Sequence, residues 1–168
     1  MSNTTQATDQ TWRGKIGRLE GEELDEFFKG GIVARVATLD ADGWPYVVPA
    51  WFEWDAQERA FWLVAREKSA WALHMVNNPR VALSIDDEGA PYRKVQAQGL
   101  AEIVEEPNVG GAWVPIAKRM SVRYLGEHGP EYMEPTLDKP RWLIRVRPER
   151  MQTWQGVDWA KKYKQTAE

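Results

Sequence analysis

The chain contains no cysteine, which removes disulfides, thiolate catalysis and cysteine-held metals together and fits a reducing cytoplasm. Histidine is nearly absent as well. The two present, His74 and His128, are far apart and have no carboxylate at ligand spacing, so no metal site is expected. No apolar run is long enough to span a bilayer and no apolar leader segment opens the chain, so neither membrane nor secretion is expected. Positive charge is not in excess either. With a net charge of −3 and basic residues spread along the chain, nucleic acid is not an expected partner. The constellations of hydrolases are missing too: Ser69 has no histidine in a nucleophile motif, and Gly110-Gly111 is too short for a phosphate loop. The paired acids Asp86-Asp87 and Glu105-Glu106 fall at turns and strand ends, where solvation explains them.

Tryptophan is what the chain has in surplus, with ten. Such large amphipathic rings either build a tryptophan-rich core or meet something beyond it, a partner subunit or a planar ligand. A length of 168 residues predicts one domain with a real core. Residues 12–160 are assigned to it. The polar opening, residues 1–11, reads as a disordered tail, and residues 161–168 as a frayed end.

Along the chain, Leu24, Phe27 and Phe28 stand at helical spacing and Gly30-Gly31 ends that helix. Ile32 to Leu39, the turn Asp40 to Gly43 and the run Tyr46 to Trp54 predict a hairpin. The second arm is almost continuously apolar, as in a strand covered on both faces, with Pro49 marking an interruption. A third strand, Ala60 to Ala65, leads into Arg66-Glu67-Lys68-Ser69. There two cations and a hydroxyl precede a short helix over Ala70 to Val76. Ser69 is placed to cap that helix, and a helix N-terminus flanked by cations suits a phosphate, although a capped helix beside two solvated charges has the same pattern. Val81 to Ile85 and the alternating Lys94 to Val104, bent at Gly99, give a fourth and a fifth strand. Trp113, Ile116, Ala117, Met120 and Tyr124 form one face of a helix packed on the sheet or on a partner subunit. Residues 126–140 read as a loop, and Arg141 to Arg147, with Met151 to Trp154 continuing it, as a sixth strand. Six strands joined by short turns predict a mainly β, α+β fold: an antiparallel split β-barrel with appended helices.

In order and spacing, three pieces resemble the flavin-binding split barrels related to pyridoxamine phosphate oxidase. They are Ala37 to Tyr46, then Val48-Pro49-Ala50-Trp51-Phe52, then Ser69-Ala70-Trp71 ahead of Asn77-Asn78-Pro79-Arg80-Val81. The resemblance implies a cytoplasmic homodimer holding two flavin or deazaflavin cofactors in clefts between subunits, with the phosphate near the turn after the third strand. It also carries departures. Where the true oxidase sets an Arg and a Lys toward the phosphate, this chain has Val48 and Glu53, and Trp71 stands in place of another Lys. The phosphate is then expected at Arg66, Lys68 and Ser69, with Lys94 falling where the family places a polar contact from the partner. The Pro49-Ala50-Trp51-Phe52 pattern looks more like the branch with deazaflavin-dependent reductases, which also holds FMN and haem binders.

The expected cofactor site is therefore Val48, Pro49, Ala50, Trp51, Arg66, Lys68, Ser69, Trp71 and Lys94. Trp51 and Trp71 either line the cofactor ring or belong to core or dimer packing. His74 reads as a packed or cleft-edge residue, and no catalytic side chain is assigned. A site without acid, base or nucleophile suits redox work, because a flavin carries the hydride chemistry itself. The expected function is hydride transfer from bound FMN, or alternatively a deazaflavin, to a small planar organic acceptor, without authentic pyridoxamine phosphate oxidase activity. The alternative is a non-catalytic carrier or sensor of haem, flavin or pigment.

Overall fold

The computed structural model describes residues 11–159. The expected disordered tail and frayed end lie outside them, except for Thr11, which opens a short 3-10 turn over Thr11–Arg13.

Helix α1 (Gly21–Lys29) buries Leu24, Phe27 and Phe28, the stripe its spacing predicts. It caps a barrel whose first two strands, β1 (Ala34–Leu39) and β2 (Pro45–Ala50), pair from Ala34↔Ala50 to Leu39↔Pro45. Their turn is built by Asp40, whose Oδ1 accepts the N–H groups of Asp42 and Trp44, while Gly43 takes a φ of 82° that favours glycine. Then follow β3 (Glu53–Asp55), β4 (Ala60–Arg66), α2 (Ala70–Asn77), β5 (Arg80–Asp86) and β6 (Arg93–Asn108). Helices α3 (Trp113–Leu125) and α4 (Gly129–Met133) precede the last strand, β7 (Arg141–Gln155).

The strands form one antiparallel sheet in the order β2-β1-β5-β6-β7-β4-β3. Its two edge strands are joined by Trp51 and Phe52 alone. Three residue steps reach at most about 11 Å, so the edges must come together and the sheet must curl into a barrel. Buried residues alternate with more exposed ones along β1, β5 and the first half of β6, and Val36, Leu63, Ile85, Val95 and Ile144 are fully buried inside. A second core lies outside the barrel wall, where Trp113, Ile116, Ala117 and Met120 of α3 cover Trp62 and Val64 of β4 and Leu143 of β7.

The split-barrel expectation holds, with three corrections. There are seven strands, because the run Tyr46 to Trp54 breaks at Trp51-Phe52, where the Phe52 N–H turns to the Tyr124 hydroxyl at 3.2 Å instead of a ladder. The second arm of the hairpin is not covered on both faces in this chain: β2 is an edge strand, which is why Pro45 and Pro49 are tolerated and Tyr46 and Val47 are exposed. Residues 126–140 are largely helical, since Met133 of α4 is buried against α3. The bend at Gly99 has a steric cause: β6 shifts register there, and a Cβ on Gly99 would stand 2.0 Å from the Arg147 carbonyl oxygen.

Candidate functional site

The barrel is split because β3 is short. It pairs only with Ala60–Trp62 of β4, leaving Leu63–Arg66 without a ladder partner on that side. Across the gap lies the outer edge of β2, also unpaired in this chain. Two open strand edges facing one cleft offer backbone donors and acceptors that a flat heterocycle can use.

The cleft, of about 390 Å³, gathers seven of the nine residues expected from the sequence: Val48, Pro49, Ala50, Trp51, Arg66, Ser69 and Trp71. Lys68 does not line it; it sits exposed in the turn whose Glu67 carbonyl accepts the Trp142 indole N–H at 2.9 Å. Lys94 is elsewhere, on β6 opposite Trp154, lining a separate cavity of about 610 Å³ with Tyr92 and Gln96. His74 is packed, its Nδ1 3.0 Å from the Thr38 hydroxyl and its ring against the edge of Tyr46.

Seven lining groups escape sequence reasoning: Val64, Ala65, Ala117, Met120, Tyr132, Met133 and Arg141. Val64 and Ala65 read only as strand, Ala117 and Met120 belong to a helical stripe that reads as packing whether or not a cleft lies beyond it, and Tyr132 and Met133 fall within residues 126–140, which read as a loop. Arg141 follows Pro140 at the start of a strand, and no signal short of the strand register sets it beside Arg66.

That register pairs Arg66 directly with Arg141 across β4 and β7. Among the described residues neither guanidinium has a carboxylate at ion-pair distance, whereas Arg35, Arg93, Arg119, Arg145 and Arg147 each have one. Arg141 is half-buried, and its Nε is buried without a hydrogen-bond partner. Burial first, and then the like charge of Arg66, pull its pKa below the usual arginine value, against an opposing pull from Tyr132. Ser69 precedes α2 with its hydroxyl making no capping bond, and the first turn of that helix holds no acid to cancel its positive end. A cationic end that lacks its own anion, apolar walls and two open strand edges together fit a planar cofactor carrying a phosphate.

Trp51 lies against Tyr124 and, more obliquely, against Tyr132. Trp71 is largely buried at the base of α2. Of the ten tryptophans, Trp113 is fully buried while Trp12, Trp44 and Trp159 are exposed, so the surplus exceeds what the core consumes.

The family model described as pyridoxamine 5'-phosphate oxidase matches residues 21–155. Comparison with curated protein sequences gives no match. Among solved structures, the chain is similar to a conserved hypothetical protein from Mycobacterium tuberculosis, at 24% identity and a TM-score of 0.63, covering 90% of this chain and 92% of that one. It is similar to an F420 reductase at 27% identity and a TM-score of 0.62, over 76% of this chain and 94% of the other. The heme storage protein of Vibrio cholerae shares the fold at 20% identity, with a TM-score of 0.61 and coverage of 85% and 100%.

Proposed function

The chain belongs to the pyridoxamine 5'-phosphate oxidase family, and from that premise we propose that it is a flavin-type oxidoreductase, binding FMN or alternatively a deazaflavin and reducing a small planar organic acceptor. The observation that carries this reading is the cleft of the split, where an arginine pair without acids closes one end of a slot with apolar walls. The likeness to an F420 reductase keeps the deazaflavin alternative in view.

When bound, such a cofactor supplies the hydride. The protein's own residues do the rest. Arg66, Ser69 and the N-terminus of α2 hold the phosphate. The edges of β2 and β4 meet the polar rim of the ring, and Trp51, Met120 and Met133 keep water from its face. Val48 and Glu53 replace two cations of the true oxidase, and Glu53 is engaged by Arg119 at 2.6 Å. The cleft therefore carries less positive charge than that of the true oxidase, so a second phosphate, that of pyridoxamine phosphate, finds few preorganised donors beyond those the cofactor's phosphate uses, and binding that does not favour the transition state does not raise turnover.

We further propose that the protein acts in the cytoplasm as a homodimer. Trp44, Tyr46 and Val47 of the hairpin and Leu73 and Val76 of α2 are exposed on neighbouring elements, an apolar surface that a second copy can cover. Among the described residues no helix is long and apolar enough to cross a membrane.

Titration of the purified protein with FMN, F420 and haem, followed by absorption and by reduction of quinone- and tetrapyrrole-like acceptors, tests the reading. Binding of FMN or F420 with sustained acceptor reduction is expected, and formation of pyridoxal phosphate is not. Binding without turnover leaves a carrier or sensor, and stoichiometric binding of haem in place of either flavin overturns the flavin reading.

A further inference from the structure

We propose that Arg141 is the specificity-determining residue of the cleft, and that with Arg66 it forms a two-arginine clamp selecting a cofactor that ends in a phosphate monoester. This rests on the flavin reading above and goes beyond it by naming the residue that sets the preference for a monoester over a diester or no phosphate. Three observations carry the assignment.

The first is charge. Arg66 and Arg141 are direct partners in the β4–β7 register, yet no carboxylate pairs with either among the described residues. Two adjacent cations left unneutralised, Arg66 exposed at the cleft's mouth and Arg141 half-buried, repel each other, and a ligand anion relieves that cost. A terminal phosphate monoester carries about −1.5 to −2 at neutral pH and matches two guanidiniums, whereas a phosphodiester carries a single charge.

The second is preorganisation. The Nη2 of Arg141 donates to the Thr136 hydroxyl at 2.7 Å, and its guanidinium lies 5.4 Å from the centre of the Trp113 ring. Both holders belong to the excursion between β6 and β7, outside the barrel proper. They fix the side chain before any ligand arrives, so little rotamer entropy remains to be lost on binding.

The third is the unspent donor. The buried Nε of Arg141 has no hydrogen-bond partner, although Thr136 satisfies another nitrogen of the same group. Buried donors are rarely left unpaired; among the described residues the Nε atoms of Arg13 and Arg123 share this state, and Arg141 is the one of the three that lines the cleft.

The test compares the dissociation constants of FMN, riboflavin and F420 for the wild-type protein, Arg141→Met and Arg141→Lys, read by quenching of cofactor fluorescence. The wild type is expected to bind FMN about ten- to a hundredfold more tightly than riboflavin. Arg141→Met should remove most of that advantage while leaving riboflavin affinity unchanged, and Arg141→Lys should keep part of it, because an ammonium supplies charge without the fork. Should Arg141→Met fail to fold, competition by inorganic phosphate on the wild type is the second measurement: phosphate should displace FMN and leave riboflavin bound. Equal losses for FMN and riboflavin in Arg141→Met, absence of phosphate competition, or tighter binding of F420 than of FMN by the wild type would each overturn the clamp. If none of the three cofactors binds the wild type, the flavin reading itself falls and the clamp with it.

Discussion

The indole of Trp51 lies flat on the ring of Tyr124, with ring centroids 4.8 Å apart and planes 1° from parallel. The same phenol donates to the Ile32 carbonyl at 2.9 Å and accepts the Phe52 N–H at 3.2 Å. One side chain at the end of α3 thus ties together the approach to β1 and the two-residue link that joins the edges of the barrel. A cleft wall, Trp51, leans on it. The stack contributes about 0.5–1.5 kcal/mol beyond area burial.

Tyr124→Phe keeps the ring and removes the hydroxyl, leaving the Phe52 N–H and the Ile32 carbonyl without this partner. The expected loss is about 1–3 kcal/mol of unfolding free energy, measured by urea denaturation. A loss below about 0.5 kcal/mol would show that the link is held without the hydroxyl.

Burial holds the Tyr124 phenol above the usual tyrosine pKa of about 10, against smaller opposing effects led by the Arg123 charge. For a group whose pKa is raised by folding, the unfolded chain releases its proton first, so stability is intact below about pH 10 and declines as pH rises through the folded value. Unfolding midpoints measured from pH 8 to 11 should therefore fall on the alkaline side for the wild type, and fall less steeply for Tyr124→Phe. Parallel curves would show that Tyr124 is not the group responsible.

The separation of Lys68 from the cleft sets an order among the phosphate candidates. Arg66→Ala is expected to weaken FMN binding by about 1.5–3 kcal/mol, and Lys68→Ala by less than about 1 kcal/mol with strong salt dependence. Calorimetry at low and high salt checks this, and a larger effect at Lys68 than at Arg66 would move the phosphate out of the split.

The exposed surface of Trp44, Tyr46, Val47, Leu73 and Val76 predicts a particle of twice the 19.3 kDa chain mass in solution. Val47→Asp, which sets a charge on that surface, should raise the dimer dissociation constant at least about tenfold by sedimentation analysis. A dimer indifferent to the change would place its interface elsewhere.

Gly99→Ala tests the close approach of β6 to β7. Its Cβ would meet the Arg147 carbonyl oxygen at 2.0 Å and the Pro148 Cα at 2.9 Å, both backbone atoms that move only if β7 moves. A destabilisation of about 2–3 kcal/mol is expected by chemical denaturation, and a neutral effect would mean that the two strands separate freely there.

Local pattern alone determined most of the elements. The alternation of β6, the stripes of α1 and α3 and the Asp40 turn are written in residues a few positions apart, where side-chain direction follows directly from strand or helix period. The Val48–Trp51 run and Arg66, Ser69 and Trp71, which line the cleft, could be grouped from the sequence because each set belongs to one continuous piece of chain. Tertiary structure decided what depends on partners distant in sequence. The Phe52 N–H leaves its strand for Tyr124, 72 residues on, and so one expected strand becomes β2 and β3 and the barrel is split. Lys68 and Arg66 are two residues apart, yet only Arg66 reaches the cleft. Arg141 comes to line the cleft beside Arg66 through the β4–β7 register alone, because which charges surround a cation depends on pairing across the sheet, and no local pattern reports those neighbours.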